Sequence, residues 1–168
     1  KNLKDCVKVS LACKKKLHIA GGRVWRFSRY LKSYGMVGQQ QKLKILRDAD
    51  ALLFPVRWPE PFGIAVIEAL AMGRPVVASP YGSLPELVGE GLGLIVKNYA
   101  QLLDCVGGDF SAKFDARYIR DQVRSRFAIE KTAGQYLELY ERVIQGESLH
   151  SDPPVCQFEQ DAQSLLPF

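Results

Sequence analysis

Two glutamates and the loop between them carry most of the chemistry this chain can offer. Glu60 sits in a proline-rich loop, Arg57-Trp58-Pro59-Glu60-Pro61-Phe62, and Glu68 follows with seven residues between, inside the apolar segment Ile64-Ala65-Val66-Ile67-Glu68-Ala69-Leu70-Ala71. The loop leaves a continuous apolar run at 51–56 and enters a helix predicted over 63–72, which Gly73 stops. The opening of a helix presents unpaired N–H groups and partial positive charge, which suit an anion such as a phosphate. Gly63, at that opening, lets the backbone approach a ligand closely. So placed, one carboxylate meets the sugar end of a polar ligand and the other accepts hydrogen bonds farther along it. The spacing is also met by a helix start with an acidic residue near its positive end plus a surface glutamate. A Glu-x7-Glu pattern by itself does not choose between the two.

These residues need elements to position them. Residues 51–56 (Ala-Leu-Leu-Phe-Pro-Val) and 75–79 (Pro-Val-Val-Ala-Ser) read as strands buried on both faces, as in parallel sheets. Shorter strands are predicted at 16–20, stopped by Gly21-Gly22, at 34–37 before Gly38, and at 92–96. Helices are predicted at 2–13, 24–33, 39–48, 63–72, near 86–88, and at 100–105, 116–126 and 129–145. Residues 147–168 contain three prolines and little periodicity, and read as an extended tail. Strands alternating with helices at this spacing imply a single α/β, Rossmann-like domain over 1–146. Its open sheet would have about five parallel strands and helices on both faces. Ligands of such sheets bind outside the carboxyl ends of the strands, here the loops after Ala20, Val37, Val56 and Ser79.

Composition narrows the class. The chain has 168 residues, 47% apolar and 24% charged, which suits a folded domain with a proper core. No apolar run approaches the roughly 20 residues of a membrane span. The N-terminal residues do not form a signal peptide, and the missing initiator Met reads as a fragment or a processed product. Cys6, Cys13, Cys105 and Cys156 form no Cys-x-x-Cys pair, and His18 and His150 stand apart, so no metal site is expected. Scattered thiols point to a reducing, cytoplasmic setting. The net charge of +5 suits an anionic ligand such as a diphosphate, or a peripheral contact with an anionic inner membrane face. Mixed charges that merely solvate the surface explain it as well. There is no basic stripe with interleaved aromatics, so nucleic acid is not an expected partner.

The wording around the glutamates goes further. Glu-Pro-Phe-Gly-Ile-Ala-Val-Ile-Glu-Ala-Leu-Ala-Met-Gly-Arg-Pro-Val-Val-Ala-Ser, from Glu60 to Ser79, closely resembles the signature of retaining family 4 glycosyltransferases of the GT-B fold. Tyr81-Gly82-Ser83-Leu84-Pro85-Glu86-Leu87-Val88 resembles that family's glycine-rich turn ending in Pro-Glu. Residues 49–55 are similar to its lead-in strand and 133–140 to its closing helix. The resemblance covers roughly residues 1–145 and implies the C-terminal, donor-binding half of a GT-B enzyme. Such an enzyme moves a sugar from a nucleoside diphosphate donor, UDP- or GDP-linked, to a hydroxyl acceptor, with retention and without a metal cofactor.

Residue by residue, the resemblance implies that Glu60 faces the donor sugar near the reacting carbon and that Glu68 binds the ribose hydroxyls. Phe62, Gly63 and Ile64 match the turn whose N–H groups touch sugar and diphosphate. Gly21 and Gly22 match the glycine turn beside the phosphates, and Met36 to Gly38 the segment flanking the base. Arg23 and Lys1 are candidates for the phosphates. The family's opening strand and its Gly-Arg are missing from this stretch, and the connection from Gly21 to Gly38 is shorter than is common. The acceptor, whether glycan, lipid or small molecule, would bind mainly through an N-terminal domain outside this sequence, so the chain alone should bind nucleotide and transfer little. Two alternatives remain at this point: a nucleotide-sugar-binding module without turnover, and a nucleotide-sugar epimerase of the same architecture. His18 is expected in the core, Asp48 and Asp50 at a helix end, and Arg117, Arg120, Arg124 and Arg126 on a solvated helix face. Trp58 and Arg57 suit either the sugar edge or loop packing.

Overall fold

A computed structural model describes residues 2–150 and 152. Two helices flank the first strand pair: α1 (Leu3–Cys13) precedes β1 (Leu17–Ala20) and β2 (Leu31–Gly35), and α2 (Gln39–Asp48) follows them. The middle of the chain then alternates β3 (Leu52–Phe54), α3 (Ile64–Ala71), β4 (Val76–Ala78), α4 (Leu84–Leu87) and β5 (Gly93–Ile95). Helices α5 (Tyr99–Gly107), α6 (Ala116–Phe127) and α7 (Ile129–Ile144) close it, with a short 3-10 turn at Ser111–Lys113.

The strands are parallel throughout, and they form two sheets rather than the single one expected. β1 pairs with β2, and β3, β4 and β5 pair in that order. Strand β4 shows why the apolar run at 75–79 is continuous. Side chains alternate across a strand. Val76 and Ala78 enter a cluster with Val66, Leu70, Leu84, Leu87 and Ile119 from α3, α4 and α6. Val77, between them, joins Val9 of α1 and Leu102 of α5. Both faces of this sheet are therefore covered by helices, and an alternation of polar and apolar residues would have exposed one of them.

Three expectations are corrected. Residues 24–33 are not helical. Gly22 forms an antiparallel bridge with Gly35, and the Val24 N–H donates to Ser33 Oγ, so the chain loops out and returns to pair β2 with β1. Trp25 and Phe27, within the predicted helix, are 94% and 108% exposed. The second strand accordingly lies at Leu31–Gly35, earlier than the predicted 34–37. His18 is not a core residue. It is on the exposed face of β1, where its Nδ1 is 2.8 Å from Tyr34 Oη and its ring stacks on that tyrosine. The other elements fall within a few residues of their predicted positions. Chain reversal after α7 uses Gly146 at φ +84, and most of the predicted tail lies outside the described residues. Among the described residues, no helix is long and apolar enough to cross a membrane.

Candidate functional site

The loop leaving β3 is clamped to the turn that follows β4. Glu60 forms a parallel bridge with Gly82, and its carbonyl accepts the Ser83 N–H at 2.9 Å. Ser83 Oγ donates to the Phe62 carbonyl at 2.8 Å. Gly82 has φ +64, and a Cβ there would meet the Glu60 backbone oxygen at 2.3 Å, so only glycine permits this approach. One level deeper, Ser79 Oγ, fully buried, donates to the Val56 carbonyl at 2.7 Å and ties the two strand ends together. The Glu60 carboxylate is aimed by its neighbour: Trp58 Nε1 donates to Oε2 at 3.0 Å, while the Trp58 ring is half-buried against the core.

Gly63 caps α3. It is buried at φ +91, and a Cβ would press on Leu87 at 3.3 Å and on Leu84 and Val66 at 3.5 Å. Its carbonyl accepts from the N–H groups of Val66 and Ile67. The N–H groups of Ile64 and Ala65 precede the first in-helix acceptor, which is the arrangement that receives an anion. Phe62 and Ile64 flank this mouth, 48% and 67% exposed, with Phe62 edge-on to Phe127 of α6. One turn into α3, half-buried Glu68 accepts a hydrogen bond at Oε1 from Lys42 Nζ of α2, 2.5 Å away.

The remaining sequence candidates line the ends of the first two strands. Gly21, at φ +80, ends β1 with its N–H on the Gly35 carbonyl at 2.8 Å, and Gly22 bridges Gly35. The Arg23 guanidinium lies against Gly35, 3.2 Å from where a Cβ would be. Met36, 88% exposed, follows β2, and Gly38 caps α2. Lys1 lies outside the described residues. The candidates therefore sit where parallel strands end, the edge that binds ligands in open α/β sheets. Each glutamate has its own partner, Trp58 for Glu60 and Lys42 for Glu68.

Lys42 escaped sequence reasoning, as did the role of Trp58 as an orienting donor and that of Gly82 and Ser83 as a clamp; the latter two read only as part of a glycine-rich turn. Trp58 lies two residues before Glu60 in the same loop. The others reach the site across turns that spacing along the chain does not reveal. Asp48 does end α2, paired with Arg47. Of the α6 arginines, Arg126 is half-buried and donates to the Glu86 carbonyl at 3.1 Å. Among the described residues, no group of three or more His, Cys, Asp or Glu side chains could hold a metal ion.

Parallel strands wrapped by helices, with the clamped loop and capped helix at their carboxyl ends, make an α/β fold that matches those of solved GT-B glycosyltransferases. Among solved structures, it is similar to AviGT4, a glycosyltransferase involved in Avilamycin A biosynthesis, with a TM-score of 0.71 at 24% identity over 85% of this chain and 47% of that one. It also resembles Anabaena Alr3699/HepE, solved in complex with UDP-glucose, with a TM-score of 0.57 at 22% identity over 68% of this chain and 33% of that one. Residues 26–104, which hold both glutamates, match the family Glycosyl transferases group 1. Glycogen synthase of Mycobacterium tuberculosis is 31% identical over 74% of this chain and 31% of its own length. The D-inositol 3-phosphate glycosyltransferase of Paenarthrobacter aurescens is 29% identical over 60% of this chain and 26% of its own. The chain spans less than half the length of these relatives. AviGT4 and the Paenarthrobacter protein are glycosyltransferases by name, and the comparisons do not favour the epimerase or the module without turnover.

Proposed function

We propose that this chain is the donor-binding half of a retaining GT-B hexosyltransferase that takes a UDP- or GDP-linked sugar. The observation that carries the reading is the Gly63 cap. It opens the first turn of α3 toward the strand ends, with Glu60 clamped just before it and Glu68 one turn beyond. The similar Anabaena Alr3699/HepE, solved with UDP and glucose and with UDP-glucose, supports a nucleotide-sugar ligand. In this reading the diphosphate lies on the N–H groups of Ile64 and Ala65, beside Phe62 and Gly63, with the Gly21-Gly22 turn and Arg23 approaching its other side. Lys1 remains a candidate for the same phosphates. Met36 and Gly38 flank the base, Glu68 accepts the ribose hydroxyls, and Glu60 holds the sugar.

The chemistry follows from that placement. The bond from the anomeric carbon to the diphosphate oxygen breaks, the acceptor hydroxyl adds from the same face, and its proton passes to a departing phosphate oxygen. The protein contributes orientation and stabilises charge on the leaving group. Glu60, held by Trp58, favours positive charge near the sugar ring. The acceptor, a glycan, lipid or small molecule, binds through a separate N-terminal half, so this chain alone binds donor and transfers little. No divalent metal takes part, and the work is done in the cytoplasm, at the inner membrane face where the acceptor is a lipid.

Calorimetric titration with UDP and with GDP tests the site. One of the two should bind the 168-residue chain, and Glu68→Ala should weaken that nucleotide about tenfold or more, the worth of hydrogen bonds to a charged group. An affinity unchanged by the substitution removes Glu68 from the ribose. The transfer step is tested in a longer protein carrying the N-terminal half, supplied with labelled donors and assayed with and without EDTA. Loss of turnover in EDTA overturns the metal-free route.

A further inference from the structure

Lys42 is the residue on which the grip of Glu68 depends, and nothing in the chain's spacing announces it. It stands in the first turn of α2, with its N–H on the Gly38 carbonyl at 3.0 Å. It therefore follows directly on the loop from Met36 to Gly38. Its ammonium group crosses to α3 and takes Oε1 of Glu68 at 2.5 Å, with the two side chains 33% and 21% exposed. The contact links residues 26 apart in sequence and joins two helices that pack on each other.

Two consequences follow from a carboxylate held in this way. A free glutamate side chain samples several rotamers, and anchoring one oxygen leaves the other at a fixed place. Partial burial strengthens the anchor, since a pair at this depth is screened less than one at the surface. Charge matters as well. An unpaired carboxylate three residues past the Ala65 N–H would repel the anion that the Ile64 and Ala65 N–H groups receive, and Lys42 cancels that repulsion.

Building on the functional reading above, we propose that Lys42 is a positioning residue of the nucleotide site. It holds Oε1 of Glu68 so that Oε2 is presented to the ribose diol, and it thereby sets the preference for ribonucleotides over their 2′-deoxy counterparts. Because it rides on α2, it couples the loop that flanks the base to the carboxylate that reads the sugar of the nucleoside.

The test uses the full chain and its Lys42→Met, Lys42→Gln and Lys42→Arg variants, each checked for a cooperative thermal transition. Each is titrated with UDP and 2′-deoxy-UDP, or with GDP and 2′-deoxy-GDP if guanine is the base. Lys42→Met and Lys42→Gln should weaken both nucleotides through the lost charge, but the ribonucleotide about tenfold more than the deoxynucleotide, so the discrimination collapses. Lys42→Arg should retain most of it. Adding Lys42→Met to Glu68→Gln should cost little beyond Glu68→Gln alone, because both act on one contact. Equal weakening of both nucleotides, or no change in either, assigns Lys42 to holding α2 on α3 and overturns the proposal. If the unaltered chain binds neither UDP nor GDP, the site reading itself falls and this inference with it. If it binds and Glu68→Ala abolishes binding while the Lys42 variants keep full discrimination, only the inference falls. Should Lys42→Met fail to fold, the ratio measured on Lys42→Gln and Lys42→Arg decides.

Discussion

Helices α3 and α7 are both rich in apolar residues, and the fold treats them in opposite ways. In the eight residues of α3, Val66, Ala69 and Leu70 are completely buried. In the sixteen of α7, none is buried, and Tyr136, Leu139, Tyr140, Val143, Ile144 and the following Leu149 line an open surface hollow of about 490 Å³. The difference is topological. Helix α3 is the crossover between two paired parallel strands, and a right-handed crossover has nowhere to go except onto the sheet. Helix α7 follows the last strand and packs on α6, so no strand pairing forces its apolar stripe inward. The candidate site is built on the constrained element. A helix mouth that must receive an anion in one orientation gains from a buried, strand-anchored helix in a way a peripheral one would not.

That contrast can be broken by substitution, beginning where the expected effect is largest. Leu70→Ala should lower unfolding free energy by about 2–5 kcal/mol, while Leu139→Ala in α7 should lower it by less than about 1 kcal/mol, both read from urea titration. Comparable losses at the two positions would mean that α7 is as well covered as α3. Gly82→Ala comes next. A side chain at φ +64, 2.3 Å from the Glu60 backbone, must displace the clamped loop, and about 2 kcal/mol or more should be lost together with nucleotide affinity.

Alkali should find the interior too. Burial, and then the charge of Asp5, push the Cys6 thiol of α1 up to about 12 from its ordinary value near 9. The folded state therefore keeps a proton that the unfolded chain gives up above that ordinary value. Stability from this source is complete below pH ~9 and is lost as pH climbs toward ~12, about 1 kcal/mol of it between pH 8 and 10. The change disappears in Cys6→Ala if the assignment is right. The smallest effect should have the opposite sign. A Cβ at Gly134 in α7 meets nothing within 4 Å, so Gly134→Ala should raise stability by about 0.5–1 kcal/mol through helix propensity.

Much of the middle of the chain could be read directly. Residues 51–56 and 75–78 are apolar at every position, which is the pattern of a strand covered on both sides, and α2 was expected over the residues it occupies. The loop with Glu60 and the helix with Glu68 were also placed by order alone, since strand, loop and helix follow one another with stops at Gly63 and Gly73. Reading failed at 24–33. Phe27, Tyr30 and Leu31 fall at spacings a helix would use, but the bridge between Gly22 and Gly35 pairs the ends of that stretch and leaves it a loop. His18 failed for a related reason, because the face of β1 it occupies depends on what covers that strand.

The residue types therefore settled which apolar runs are buried strands, where the helix opening at Gly63 begins, and which two carboxylates lie before and within it. Those properties follow from local patterns of side-chain size, polarity and backbone freedom, and a short window of chain contains them. Only the tertiary structure decided that five strands divide into a pair and a triplet, that Trp58 aims Glu60, that Ser83 and Gly82 clamp its loop, and that Lys42 holds Glu68. The clamp on the loop and the ion pair join residues more than 20 positions apart, brought within about 3 Å by the packing of strands and helices, a distance that no periodicity along the chain encodes.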